Sequence, residues 1–356
     1  MTTIDYKKEL DAIIDFILNE QASDLHLSVD SHPLIRVSGT LIPLLKKPIL
    51  NATDLDAFIK ILMRRDQYEK YLDFNEVDFS YENLAGVRFR CNAFYQRGHM
   101  AVVLRLIPNV VMSFEDLGLP PILESFTQRT QGFFLCVGPV GQGKSTTLAA
   151  MINMINKNRA DHIVTIEDPI EYIYHEERAL IDQREIGIDS KSFESALNAV
   201  FRQDVDVILV GEMRNAETIE SAVTAAETGH LVFSTLHTND AAQTINRIVD
   251  VFPGSQQNQI RSQLAGSLIG IFSQRLVPKI DGGMVLAYEL LVNNYAVANL
   301  IRENRIHEIA SVIETGLEHG MIDMNRSLAR LVQNGQITIE SAFLYSNNPK
   351  GLERLI

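Results

Sequence analysis

A chain of 356 residues is long for a single core, so two domains are the expectation. With 46% hydrophobic and 22% charged residues it has the make-up of a globular protein and not of a disordered one. A formal net charge of −13 argues against a basic groove for nucleic acid spread over the surface.

The opening MTTIDYKKELDAIIDFILNE scatters acids among its apolar positions, unlike a signal peptide. Between residues 4 and 20, Ile13, Ile14, Ile17 and Leu18 recur at helical spacing. Short strands are expected in HPLIRVSG and TLIPLL, joined around Gly39, then a helix from about Asp54 to Tyr71 with Thr53 as its cap. DFSYE, VRFRCNAFYQRG and MAVVLRLI read as antiparallel strands that turn at Arg97-Gly98. A small α+β domain over 1–107 follows from this pattern. PNVVMSFEDLGLPP, with prolines at both ends and no sustained period, reads as a linker over 108–120.

Beyond it strands and helices alternate: GFFLCVG, a helix from Lys144, HIVTIED, a helix from about Phe193, VDVILVGE, a helix from about Ala216, and HLVFSTLH. Such alternation means βαβ units on a parallel sheet. The second domain therefore takes 121–356, and from Ser255 onward, about 255–356, it reads as mostly helical. No apolar run approaches the ~20 residues a membrane span needs, so a cytoplasmic protein is expected. Cys91 and Cys136, the two cysteines, are far apart; they cannot build a four-thiolate zinc site and do not suggest an oxidising compartment.

GPVGQGKSTT carries the most specific signal. Gly138 to Ser145 fits G-x-x-x-x-G-K-[ST] without a gap, between a strand and a helix. Glycines at 138, 141 and 143 let backbone N–H groups converge on phosphate oxygens, and the helix N-terminus adds partial positive charge. The loop, Gly138, Pro139, Val140, Gly141, Gln142, Gly143, Lys144, Ser145 and Thr146, is thus a candidate cradle. Lys144 would reach the β- and γ-phosphates of ATP, and Ser145 or its neighbour would ligate Mg²⁺. Two strands end in acids. ILVGE closes on Glu212, the candidate for orienting the attacking water, with Gly211 where many such proteins place an Asp. TIEDPIEY supplies Glu167, Asp168 and Glu171, candidates for the magnesium shell; the other reading is that these acids merely cap the following helices.

His230 and His237 flank one apolar strand. Neutral imidazole can serve a γ-phosphate, and such a pair is as readily structural; no third ligand at metal spacing lies nearby. In VRFRCNAF, alternation puts Arg88, Arg90 and Asn92 on one face, with Arg97 at the turn and Arg105 on the next strand. Two readings stand: arginines that reach a neighbouring subunit's nucleotide, or a solvated charged face.

Nearly end to end, the sequence resembles the type IV pilus retraction ATPases, the PilT branch of the secretion ATPases. The resemblance rests on ASDLHLS, RFRCNAFYQR, GPVGQGKSTTLAAM, TIEDPIEY, ILVGEMRNAETIESAVTAAETGHLVFSTLHTNDAAQTINRIVDVFP and NLIRE. It implies a PAS-like N-terminal domain, a RecA-like P-loop ATPase domain with a parallel-rich sheet, and C-terminal helices. It also implies a homo-hexameric ring with nucleotide at subunit boundaries, docked on an inner-membrane platform protein, with a paralogous pilus ATPase as a further partner. In those terms Lys144 and Ser145 belong to Walker A, Glu171 to an acidic box that helps place magnesium, Glu212 is the Walker B glutamate, and His230 and His237 form a histidine box. Arg88, Arg97 and Arg105 would reach nucleotide across a boundary.

The chain departs from that family at several positions. Val140 and Gln142 replace Thr and Ser in the loop, Asn215 replaces an Asp, and AVANLIRE puts Ala298 where an arginine is usual in a motif tied to retraction. Competing readings are an assembly ATPase, which usually carries a four-cysteine zinc module and a longer N-terminal region, an accessory paralogue, and a RecA-like nucleic-acid motor, which the acidic balance disfavours.

Overall fold

The computed structural model describes residues 5–37, 39–108 and 110–356. Ile4 of the first expected helix, Ser38 beside the expected Gly39 turn and Asn109 of the expected linker lie outside them. The chain divides into two compact units, one holding residues up to Val110 together with Glu171–Ile173, the other Val111–Ile170 with Tyr174–Ile356.

In the first unit, α1 (Tyr6–Asn19) buries Leu10, Ile13, Ile14 and Ile17 along one stripe, and the Asp5 side chain accepts the Lys8 N–H at its start. Six strands follow: β1 (Asp24–Ser28), β2 (Leu34–Val37), β3 (Thr40–Pro43), β4 (Glu76–Glu82), β5 (Arg88–Gln96) and β6 (His99–Leu106). They form one antiparallel sheet in the order β3-β2-β1-β6-β5-β4. On β5 Phe89, Cys91 and Ala93 are buried, and Arg97 and Gly98, both at positive φ, make the turn into β6.

The helix expected over 54–71 is two helices, α2 (Ala52–Leu62) and α3 (Arg65–Phe74). Extended backbone at Met63 and Arg64 separates them. The cap of α2 is Asn51, not Thr53: the Asn51 side chain accepts from the N–H groups of Thr53 and Asp54, and Asp54 accepts from the Asn51 N–H. Asn51 reaches two orphan donors at once, which Thr53, already inside the helix, cannot do.

The second unit begins with α4 (Phe114–Leu117), a turn of helix capped by Ser113 inside the segment expected to be plain linker, and α5 (Ile122–Thr127). Then come β7 (Gly132–Val137), α6 (Lys144–Asn158), β8 (His162–Glu167), β9 (Leu180–Glu185), α7 (Phe193–Val200), β10 (Val207–Val210), α8 (Ala216–Glu227), β11 (Leu231–Leu236), α9 (Ala241–Asp250), α10 (Gly254–Ser267), β12 (Leu268–Pro278) and β13 (Met284–Val292). Helices α11 (Tyr295–Arg302), α12 (Ile309–Thr315), α13 (Met324–Gln333), α14 (Ile339–Tyr345) and α15 (Pro349–Leu352) complete it.

The sheet order is β13-β12-β7-β11-β10-β8-β9, parallel throughout except at β13. This is the parallel-rich α/β sheet expected from the alternation, with helices closing the chain. Three strands of this sheet were not anticipated, β9, β12 and β13, nor was β1 of the first unit; the region after Ser255 is mostly helical as expected, with β12 and β13 as the interruption. Every residue of β7, β10 and β11 is buried, as strands covered on both faces must be. The last helices bring Leu328, Ala342 and Leu352 onto Val277 and Ala287 of the β12–β13 pair as a separate small core. Among the described residues no helix is long and apolar enough to cross a membrane.

Candidate functional site

Parallel pairing puts the carboxyl ends of β7, β8, β10 and β11 on one edge of the sheet, where open α/β folds hold ligands. Gly138 leaves β7 there, Glu167 ends β8, Gly211 and Glu212 follow β10, and His237 follows β11. Hydroxyls of β11 pin the neighbouring strand end: Ser234 Oγ donates to the Val210 carbonyl at 2.8 Å and Thr235 Oγ1 to the Gly211 carbonyl at 2.6 Å.

Chain geometry explains the loop's glycines. Gly138 has φ 146°, and a Cβ there would stand 2.6 Å from the Gln274 carbonyl oxygen. Gly143, at φ 79°, delivers the chain into α6, whose first residue is Lys144. Lys144 is only 7% exposed although charged, and its Nζ donates to the Pro139 carbonyl at 2.9 Å. The same Nζ lies 3.2 Å from His237 Nδ1. Ser145 and Thr146 are half-buried, and Val140 stands out into solvent.

On the far side of His237, Nε2 is 3.5 Å from Glu212 Oε1. The other carboxylate oxygen receives Arg214, from Nε at 2.9 Å and from Nη2 at 2.8 Å. Burial lowers the His237 pKa, and the Lys144 ammonium lowers it further against the opposing pull of Glu212. A neutral ring that accepts at Nδ1 from an ammonium carries its proton on Nε2, so the network assigns an N–H aimed at Glu212. Lys144, His237 and Glu212 therefore stand in line.

The acids after β8 divide. Glu167 is 7% exposed and accepts from Thr165 Oγ1 at 2.7 Å, and a Cβ at Gly211 would lie 3.4 Å from its Cα. Glycine at 211 thus lets β10 close against β8, and an aspartate there would crowd it. The Glu212 hydrogen bonds, helped by Asp168, hold the Arg214 charge firmly. Glu171 groups with the first unit.

No three His, Cys, Asp or Glu side chains among the described residues gather as a metal cage. The hard oxygen donors at the edge, Ser145, Glu167 and Asp168, suit a magnesium ion that takes the rest of its shell from phosphate and water.

His230 does not join this line. It sits before β11, at the opposite end of that strand, with Nδ1 3.0 Å from the Ala225 carbonyl and its ring edge-on to Phe201. Within its own unit it secures the α8–β11 connection. The three arginines lie in the first unit. Arg88 hydrogen-bonds Glu82 and Ser80, each at 3.4 Å, and Arg105 Nε donates to the buried Asp24 at 2.9 Å. Arg97 and Arg90 make no ion pair among the described residues.

Two residues at the site were missed from the sequence. Arg214 had a signal, lying two positions after Glu212 in GEMR. Gln274 had none, because the strand that carries it was not anticipated.

Residues 5–285 match the model of the family described as type II/IV secretion system protein. The chain is 43% identical over 334 residues to the type IV pilus retraction ATPase PilT of Pseudomonas aeruginosa, covering 94% of this chain and 97% of that one. It is 46% identical over 321 residues to a twitching motility protein of Neisseria gonorrhoeae, covering 90% and 86%. Among solved structures, that of the pilus retraction motor PilT with bound ADP superposes with a TM-score of 0.90 at 47% identity, covering 96% of this chain and 98% of the other.

Proposed function

The chain belongs to the type II/IV secretion system protein family and is an ATPase; on that footing we propose that it retracts a type IV pilus, supporting twitching motility. The alignment of Lys144, His237 and Glu212 at the phosphate loop carries the chemical half of this reading. The end-to-end likeness to a retraction ATPase and a twitching motility protein carries the cellular half.

Lys144 neutralises charge on the β- and γ-phosphates while the loop's N–H groups hold them. Glu212 accepts from and orients the attacking water, and His237, neutral, spaces the ammonium from the carboxylate so that neither quenches the other. Arg214 holds Glu212 in place until the water arrives. Ser145, with Glu167 and Asp168, would hold Mg²⁺, which would supply Lewis-acid neutralisation of phosphate charge. We assign Arg88, Arg97 and Arg105 to the edge that faces a neighbouring subunit in a homo-hexamer, and His230 to support of β11. The ring works in the cytoplasm against an inner-membrane platform protein.

A second reading, an accessory motor acting beside a paralogue, draws on Ala298. It is 6% exposed and packs in the same core as Val297 and Ile301, so this helix presents no arginine there.

ATP turnover by the purified chain tests the proposal. Glu212→Gln is expected to bind ATP as tightly as wild type while kcat falls about a hundredfold or more. Wild-type turnover in that variant would remove Glu212 from the chemistry.

A further inference from the structure

Strand β12 aims one side chain at the phosphate loop. Gln274 is 1% exposed. Its Oε1 accepts from Thr147 Oγ1 of α6 at 2.9 Å and from Cys136 Sγ of β7 at 3.1 Å, and its Nε2 donates to the Gln142 carbonyl. Its own carbonyl occupies the space a side chain at Gly138 would need. The loop answers with a bond of its own: Gln142 Oε1 accepts the Leu276 N–H at 2.7 Å. That bond forms where β12 has run past its partner, the last β7 pairing being Ser273 with Val137.

We propose that Gln274 is a positioning residue for nucleotide binding, which fixes the peptide between Gln142 and Gly143 so that the Gly143 N–H faces the phosphate. The reason is peptide geometry. In a planar trans unit the carbonyl of residue 142 and the N–H of residue 143 point in opposite directions. Tying that carbonyl to β12 turns the N–H away from β12 and into the concave side of the loop. The carboxamide is suited to the task because it is both donor and acceptor. An apolar side chain would leave the Thr147 hydroxyl and the Gln142 carbonyl without this partner, and an acid would face the carbonyl with a second acceptor. The inference rests on the reading of the loop as an ATP site.

Gln274→Glu tests it, since the shape and the acceptor for Thr147 and Cys136 are kept while the donor to Gln142 is lost. The KM for ATP and the dissociation constant of a fluorescent ADP analogue are expected to rise about tenfold or more, with kcat within about threefold of wild type and the thermal midpoint retained. A merely structural role would lower the amount of active enzyme and leave KM where it was. An unchanged KM in a folded Gln274→Glu protein overturns the inference while the ATPase reading stands. Should that variant not fold, Thr147→Val, which removes one of the hydroxyl and thiol donors that anchor Gln274, must raise KM in the same direction; an unchanged KM there overturns it equally. A wild-type chain that bound no nucleotide would sink both readings together.

Discussion

His237 sits where a proton would do the most damage. Protonation would set a second cation 3.2 Å from the Lys144 ammonium and remove the acceptor that holds it. Because burial and Lys144 depress its pKa below the ordinary 6.5, the folded protein takes that proton only at lower pH than the unfolded chain does. ATP turnover is therefore expected to keep its neutral-pH rate down to pH 6.5, with the acid limb beginning lower; a limb centred above 6.5 would contradict the assigned neutral ring. Glu289 is displaced the other way. Burial pushes its carboxyl up to about 7, and Asp240 and Asp323 add to the effect, although it accepts the Ala241 N–H at 2.9 Å. The folded state holds this proton up to about pH 7 and the unfolded chain releases it near 4.5, so stability declines as pH rises across that window. Glu289→Gln, which keeps an acceptor for Ala241, should raise the thermal midpoint at pH 8 and change it little at pH 4.5. Equal shifts at both pH values would contradict it. Much of this site was legible because its residues sit in short local patterns. Gly138 to Ser145 is a contiguous motif, and Glu212 and His237 each come just after an apolar strand. What stayed hidden is non-local: the side chain that braces the loop comes from 132 residues downstream of Gln142.

Strand β12 was hidden for a physical reason. In β12 every residue from Gly270 to Arg275 is buried, so no alternation marks it as a strand. It also follows α10 directly, with Ser267 ending the helix and Leu268 opening the strand and no turn residue between them. The four strands β7, β8, β10 and β11 were legible because each is a short apolar run that stops at glycine, acid or histidine. The cap of α2 was placed two residues late for a different reason: Asn51 and Thr53 are both good caps by type, and only the hydrogen bonds decide. At α8 the departure to Asn215 is harmless, since its side chain still accepts the Thr218 N–H at 3.0 Å. The last helices, α13 to α15, share a small core with β12 and β13. Leu328, fully buried against Val277 and Ala287, should cost about 2–5 kcal/mol when cut to alanine, read by denaturant unfolding. A loss under about 1 kcal/mol would mean that these helices are not part of the cooperative core.

The whole molecule consists of two units, each with a core of its own. The first is an antiparallel sheet with charged residues on one face of β5; the second holds the phosphate loop. Within the proposed homo-hexamer, arginines of one subunit would complete the site of the next, so rings mixed from Glu212→Gln chains and chains with Arg88, Arg97 and Arg105 all changed to alanine, each inactive alone, should regain part of the turnover. No regain in the mixed rings would contradict arginines supplied across the boundary. The decisive measurement is made on cells that lack this chain, with pili labelled and filmed. Retraction as its work predicts abundant filaments that extend and do not shorten, with shortening restored by the wild-type chain and not by Glu212→Gln. Bald cells, regaining pili only with the active chain, would make it an assembly motor and contradict the direction of work proposed here.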